Sequence, residues 1–300
     1  MIDSSIKSYA FDKLKSLDLS KSTVGEIREL LKSISINYIP FNIQKGVYII
    51  RARKGYGYTK RSQMTYCPKD KCKSFQRASL RNETMFYGVL SDDQRKLEHA
   101  RAIAVAECSS LCRQGITSIG RESFCLAHWE VIKPLRIASL ITPSTFNCIK
   151  DNLILSQLRD VYRSCFQKEN SLDIDLNISN FISEEFSKIV SQGSDEQYLI
   201  SAIISTILVK EKNFDGIVYP SVQLGGQAGL NIALSPMAVN KKLRFLRVLE
   251  HTLYKNRGKS FIRLEKCTEK GLVRKINQIS DSDLADRLSL KDLYSLPYVK

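Results

Sequence analysis

Histidine is scarce in this chain: there are three in 300 residues, His99, His128 and His251. A histidine-dependent catalytic triad therefore has few options, and each of the three reads as a structural or exposed residue. The glycine-rich dinucleotide fingerprint GxGxxG, the phosphate loop GxxxxGK[ST], the zinc-protease string HExxH and the nucleophile elbow GxSxG are all missing. No apolar run approaches the ~20 residues of a membrane span. The opening MIDSSIKSYAFDKLKSL is polar and amphipathic, without the apolar centre of a signal peptide. Eight cysteines are scattered without the dense spacing of a disulfide framework, which points to a reducing compartment. The expectation is a cytoplasmic protein with no membrane association. There is no internal repeat and no low-complexity stretch.

Acidic residues are also thin where basic ones crowd. Positions 45–81 carry eleven Lys/Arg against one Asp, and positions 241–275 carry twelve against three Glu. The two blocks hold +19 of charge in a chain of net +15, which leaves the remainder at −4. Such blocks concentrate polyanions: a dinucleotide pyrophosphate, a nucleic acid or an acidic partner protein. A solvated basic face that meets nothing specific is the plain alternative.

A hydrophobic content of 43% marks a globular chain with room for a sizeable core. Residues 1–40 read as two helices, the second opened by a capping box of Thr23 and Glu26, with Pro40 ending the section. The string GVYIIRAR (46–53) reads as a strand, followed by a basic glycine-containing loop; 65–82 reads as irregular and TMFYGVL (84–90) as a second strand. A helix follows from Ser91 to Gly115. SFCLAHWEVIKPLRIASLI (123–141) reads as strand, turn, strand, with Pro134 at the turn. Positions 151–210 read as mainly helical with a polar gap at 170–180. FDGIVYPS (214–221) is another strand, and basic strands plus a terminal helix close the chain. Mixed, non-alternating elements predict an α+β fold rather than a doubly wound sheet. Three segments follow: a helical stretch 1–45, a catalytic domain 46–240 and a basic extension 241–300.

Three local strings carry the chemistry. Arg51 lies in VYIIRARKG, Glu107 closes ARAIAVAE, and Ser221 follows tyrosine and proline in FDGIVYPS. RASLRNETMFYG (77–88) sets Arg77 ten residues before Tyr87, and a glycine-rich stretch after Ser221 leads to Asn231. In order and spacing these strings resemble the RES domain, named for its arginine, glutamate and serine; the resemblance covers roughly 46–240. Many members have asparagine two residues after the arginine matching Arg77, where this chain has Ser79.

The resemblance implies an α+β fold with an ADP-ribosyltransferase-like mixed β core. It implies an enzyme that breaks the nicotinamide–ribose bond of NAD, with phosphate or water as acceptor. NAD is then substrate, and no metal is expected. Many members are toxins, so the implied partner is a neutralising antitoxin or immunity protein.

The residues fit those demands. A planar guanidinium binds pyrophosphate oxygens in bidentate fashion, a job for Arg51 with Arg53 and Arg77 as further candidates. Nicotinamide departure leaves an oxocarbenium-like ribosyl cation that a carboxylate stabilises, a job for Glu107. On a helix carrying AIAVA, Glu107 is expected to be largely buried. Tyr87 offers a face for stacking on the nicotinamide ring, and Tyr58 and Tyr56 sit in the glycine loop to cover a ligand. Ser221 has no nearby histidine to activate it, so it reads as a positioning residue. Gly225, Gly226 and Gly229 allow close approach of backbone to ligand. Each of these residues also has an ordinary structural reading, as surface ion pair, core packing or turn.

Two further readings stay open. One is transfer of ADP-ribose to a protein on the same fold. The other is a non-catalytic nucleic-acid-binding module, motivated by the basic blocks. Against the latter, no nucleic-acid motif appears, and aromatics are not interleaved along the basic tail as stacking platforms. Cys67, Cys72, Cys108 and Cys112, with Cys125 and His128 following, form a zinc set only if the fold assembles them, because their spacing is not that of a finger or ribbon.

Overall fold

The computed structural model describes residues 3–91, 97–114, 117–142, 153–166, 173–191, 193–221, 229–256, 259–269, 272–275 and 297–299. The fold is mixed α+β. Two compact units divide the chain, each assembled from separated stretches: 1–45, 66–87 and 131–243 in the first, 46–65, 88–130 and 244–300 in the second. The expected 46–240 span therefore contributes to both units.

The first unit opens with α1 (Ser4–Lys15) and α2 (Val24–Ile34). One half of the expected capping box is present: Thr23 Oγ1 accepts the Glu26 N–H at 3.1 Å, while the Glu26 carboxylate stands 3.7 Å from Lys13 Nζ. Ile27, Leu31 and Ile34 recur at helical spacing and are fully buried. Strands β1 (Ile39–Ile43) and β5 (Leu135–Ser139) pair antiparallel, and β5 runs parallel to β6 (Gly216–Pro220). In turn β6 pairs antiparallel with β7 (Leu230–Leu234). Every residue of β6 and β7 is buried, which explains why the two strands are apolar apart from Asn231.

Gly216 is required at the head of β6. A Cβ there would stand 2.1 Å from the Ala233 carbonyl oxygen and 2.8 Å from Leu234 Cδ2. Next to it, Asp215 accepts the Arg136 N–H at 2.7 Å and Lys242 Nζ at 2.6 Å, pinning the start of the strand.

Helices α5 (Leu153–Phe166), α6 (Asp173–Ser187) and α7 (Leu199–Thr206) belong to this unit. The polar gap expected at 170–180 is largely a helix, because Ile174, Ile178, Ile182 and Phe186 form an apolar stripe at four-residue spacing through it. That stripe joins α1, α2, α7, β6 and β7 in one hydrophobic core. The last helix among the described residues, α8 (Pro236–Lys242), is capped by Ser235 and starts on a proline.

The second unit is a sheet in the order β3–β2–β4–β8–β9–β10. Its strands are β2 (Tyr48–Lys54), β3 (Phe86–Ser91, which enters from the first unit), β4 (Ile119–Val131), β8 (Leu243–Asn256), β9 (Lys259–Glu269) and β10 (Leu272–Lys275). Helix α3 (Leu97–Cys108) packs on β2, and the short α4 (Ser110–Arg113) follows it after the N-cap Ser109. The chain returns at 297–299: Arg121 N–H donates to the Pro297 carbonyl and Val299 N–H to the Arg121 carbonyl, both at 2.9 Å. The terminal helix expected over 280–296 lies outside the described residues. Among the described residues, no helix is long and apolar enough to cross a membrane.

Candidate functional site

Strand β2 brings Arg51 and Arg53 to the same face, because side chains alternate along it. Arg51 is paired with Ala127 and Arg53 with Cys125 in the antiparallel register with β4. The loop after β2 serves that face. Arg53 donates to the Gln63 carbonyl and lies over the Tyr58 ring at 5.3 Å, and Arg61 lies over the Trp129 ring at 5.5 Å. Tyr58 is thus held by Arg53, while Tyr56 is exposed.

The other face carries Ile50, Ala52 and Lys54 opposite His128, Leu126 and Phe124. Here the turn from α3 to α4 is locked by a buried carboxylate. Glu122, fully buried, accepts Lys54 Nζ at 2.6 Å, the Ser110 hydroxyl at 2.5 Å and the Ser109 hydroxyl. Burial alone would raise its pKa, but these hydrogen bonds outweigh it and hold the carboxyl below 4.5.

Glu107 lies in the last turn of α3. The helix buries Ile103 to Ala106 beneath it, and Glu107 itself is half-buried. The AIAVA run describes the inner face of the helix, and Glu107 stands at its margin. Beside it, the Cys108 thiol reaches the Ala52 carbonyl on β2 at 3.5 Å. Desolvation pushes this thiol up to about 11; the positive charges of Arg51, Arg113 and Arg53 oppose that, and Glu107 adds to it. Arg51 on β2 and Glu107 on α3, the helix that packs on β2, belong to the same unit.

The remaining predicted residues belong to the first unit. Ser221 directly follows β6 and is buried, with its N–H donating to the Gly229 carbonyl at 2.8 Å. Asn231 on β7 is buried and paired with Tyr219. The alternation of β6 and β7 sets Tyr219, Ser221 and Asn231 on one face. Tyr219 on that face belongs to the core and stacks obliquely on Phe186, ring centroids 5.6 Å apart. Gly225 and Gly226 lie outside the described residues.

Tyr87 and Arg77 have internal work. The Tyr87 hydroxyl accepts the Ala78 N–H and meets the Ser79 hydroxyl, each at 3.1 Å, while the half-buried ring packs on the core. Ser79, where the resembled family has asparagine, thus supports the tyrosine. Arg77 donates to the carbonyls of Phe186 at 2.7 Å and Lys188 at 2.9 Å, capping the end of α6, and lies over Tyr198.

Several basic residues of the two blocks are likewise engaged: Lys54 with Glu122, Lys242 with Asp215, and Arg244 with Glu130. His128 and His251 are buried, as structural residues would be, and His99 is exposed. Among the described residues no group of three or more His, Cys, Asp and Glu is placed to hold a metal. Cys67 and Cys72 belong to the first unit and Cys108, Cys112 and Cys125 to the second.

Sequence reasoning passed over Glu122 and read Cys108 only as a zinc-ligand candidate. Glu122 was findable: with Phe124, Leu126 and His128 it occupies alternate positions of an apolar strand, and a charge in that inward register demands a partner. Compared with known proteins, the chain matches no protein-family model, and no curated protein matches it either.

Proposed function

We propose that this chain consumes NAD, breaking the nicotinamide–ribose bond with water or phosphate as acceptor, on an ADP-ribosyltransferase-like fold. The reading is supported by the placement of Arg51 and Arg53 on β2 and of Glu107 on α3, the helix that packs on β2, in one compact unit, with Arg51 and Glu107 both bearing on the Cys108 thiol. Cationic groups and a half-buried carboxylate thus belong to one compact unit. NAD cleavage asks for that combination: cationic groups for the pyrophosphate, a carboxylate for the ribosyl cation. Arg51 supplies the first with Arg53 on the same strand face, and Glu107 the second. Ser221 and Asn231 share a face of the first unit, and the reading assigns them no part in this chemistry. Arg77, with its donors on the end of α6, is left a structural role. An enzyme of this kind drains its own cell, so a neutralising protein partner belongs to the proposal.

The test is incubation of the purified chain with NAD, with and without phosphate, and quantification of nicotinamide, ADP-ribose and ADP-ribose phosphate. Nicotinamide release that Glu107→Gln abolishes, with an unchanged circular dichroism spectrum, is expected. Unchanged turnover in Glu107→Gln removes its role, and no turnover by the parent chain removes the reading. Label from NAD appearing on lysate proteins redirects it to ADP-ribosyl transfer.

A further inference from the structure

The C-x4-C string at 67–72 has no part in the proposed reaction, yet the fold gives it a geometry of its own. One tight turn, Lys69–Lys71, separates the two cysteines. The turn is closed by Lys71 N–H on the Pro68 carbonyl and Cys72 N–H on the Lys69 carbonyl, both at 3.0 Å. This folds the chain back on itself. The Cys72 thiol donates to the carbonyl of Pro68, the residue that follows Cys67, at 3.4 Å, and the Cys67 thiol acts on it as a neighbouring titratable group. Both thiols are free.

Their environments differ. Cys67 is half-buried and the more accessible of the two, whereas Cys72 is 7% exposed. Burial is the main cause that pushes the Cys72 thiol up, with the Thr84 hydroxyl opposing it. Cys67 is the sulfur a soluble oxidant reaches, and Cys72 is the sulfur waiting behind it. The Cys72 carbonyl accepts the Asn82 N–H at 2.7 Å, so the pair is tied to the segment that leads on to β3.

We propose that Cys67 and Cys72 form a reversible intramolecular disulfide, with Cys67 the peroxide-sensing thiol and Cys72 the resolving thiol. In the first step the Cys67 thiolate attacks hydrogen peroxide, the O–O bond breaks, and Cys67 becomes a sulfenic acid with loss of water. In the second, the Cys72 sulfur attacks the Cys67 sulfur, the S–O bond breaks and a second water leaves. The two thiols lose two electrons in total, and the peroxide is reduced to two waters. A dithiol reductant reverses the bond by exchange. The turn and the Cys72 Sγ–Pro68 carbonyl contact bring Cys72 back beside the Cys67–Pro68 step, so the bond would close a loop of only six residues.

The experiment treats the full chain with hydrogen peroxide, traps sulfenic acid with dimedone, blocks free thiols with iodoacetamide and maps peptides by mass spectrometry. The parent chain is expected to show a 67–72 crosslink, lighter by two hydrogens, that dithiothreitol removes. Cys72→Ser is expected to show Cys67 carrying dimedone instead. Cys67→Ser is expected to leave Cys72 as the iodoacetamide adduct. Two results overturn the assignment: equal dimedone labelling of Cys67 in the parent and in Cys72→Ser, or both thiols alkylated after peroxide in the folded parent. Circular dichroism of each variant separates loss of the bond from loss of the fold.

Discussion

Lys54 Nζ stands 2.6 Å from a carboxylate oxygen of Glu122, and this pair joins β2 to β4 beneath the turn from α3 to α4. Glu122 is fully buried while a third of the Lys54 side chain is exposed. Removing the lysine strands a charge that cannot reach water. Lys54→Met is expected to cost about 3 kcal/mol, the low end for a broken buried pair because of the exposure of Lys54. Urea titration at neutral pH measures it. Because the Glu122 carboxyl titrates below 4.5 in the fold, its contribution is present above that value and is lost as the pH falls through the folded value. Glu122→Gln should therefore flatten the acid limb of the stability profile. A limb of unchanged slope would show that the carboxylate does not drive it.

The sequence made the elements legible far better than their assembly. β2, β3 and the capped α2 announced themselves because period-2 apolar strings and Thr23 with Glu26 are local signals. The strand–turn–strand at 123–141 was legible as two strands, but not that β4 pairs with β2 while β5 pairs with β1 and β6. Pairing depends on contacts distant in sequence, and Pro134 records only where the chain turns. The apparent gap at 170–180 misled because Asn and Asp are weak helix formers; the stripe from Ile174 to Phe186 decided the matter through burial. At the site, residue types were readable but occupancy was not. Nothing in RASL says that Arg77 spends its donors on the end of α6 or that Ser79 backs Tyr87.

Arg77 offers a test that separates binding from capping. Its bonds to the Phe186 and Lys188 carbonyls satisfy acceptors that the end of α6 leaves open. Arg77→Ala is expected to lower stability by about 1–2 kcal/mol and to leave the KM for NAD of the folded fraction unchanged. A tenfold rise in KM at unchanged stability would return Arg77 to the substrate.

Gly216 is the position where one methyl group should do the most harm. The Ala233 carbonyl and the Leu234 backbone leave no volume for a Cβ, and both are held by the β6–β7 ladder. Gly216→Ala is expected to cost about 3 kcal/mol through overpacking, read as a fall in Tm. A drop of only a degree or two would mean that the ladder yields more readily than its pairing implies.

His128 and His251 give the second unit an acid limit. Burial is the main cause that holds them down, to about 3 and about 4, with Arg101 adding to both and Arg247 and the other histidine adding to His128. Unfolded, each titrates near 6.5. Stability from keeping them neutral is whole above 6.5 and declines as the pH falls toward the folded values, by roughly 1.4 kcal/mol per pH unit for each histidine. Stability measured from pH 7 to 4.5 should show that slope, and His251→Gln should reduce it by about half. A flat profile over this range would show that the histidines are reached by water.

Cys108 reports on the proposed site without any substrate. With its thiol at about 11, the thiolate fraction at pH 8 is about one in a thousand, so iodoacetamide should label Cys108 about two orders of magnitude more slowly than an ordinary exposed cysteine. The neighbours push in opposite directions. Arg51→Met removes a positive charge that favours the thiolate and should slow labelling further. Glu107→Gln removes a negative charge that disfavours it and should speed labelling. The pH dependence of modification, followed by peptide mass spectrometry, gives both shifts in the absence of NAD. If neither substitution moves the Cys108 profile, Arg51 and Glu107 do not share that neighbourhood, and the electrostatic basis for assigning them to one reaction is gone whatever the NAD assay returns.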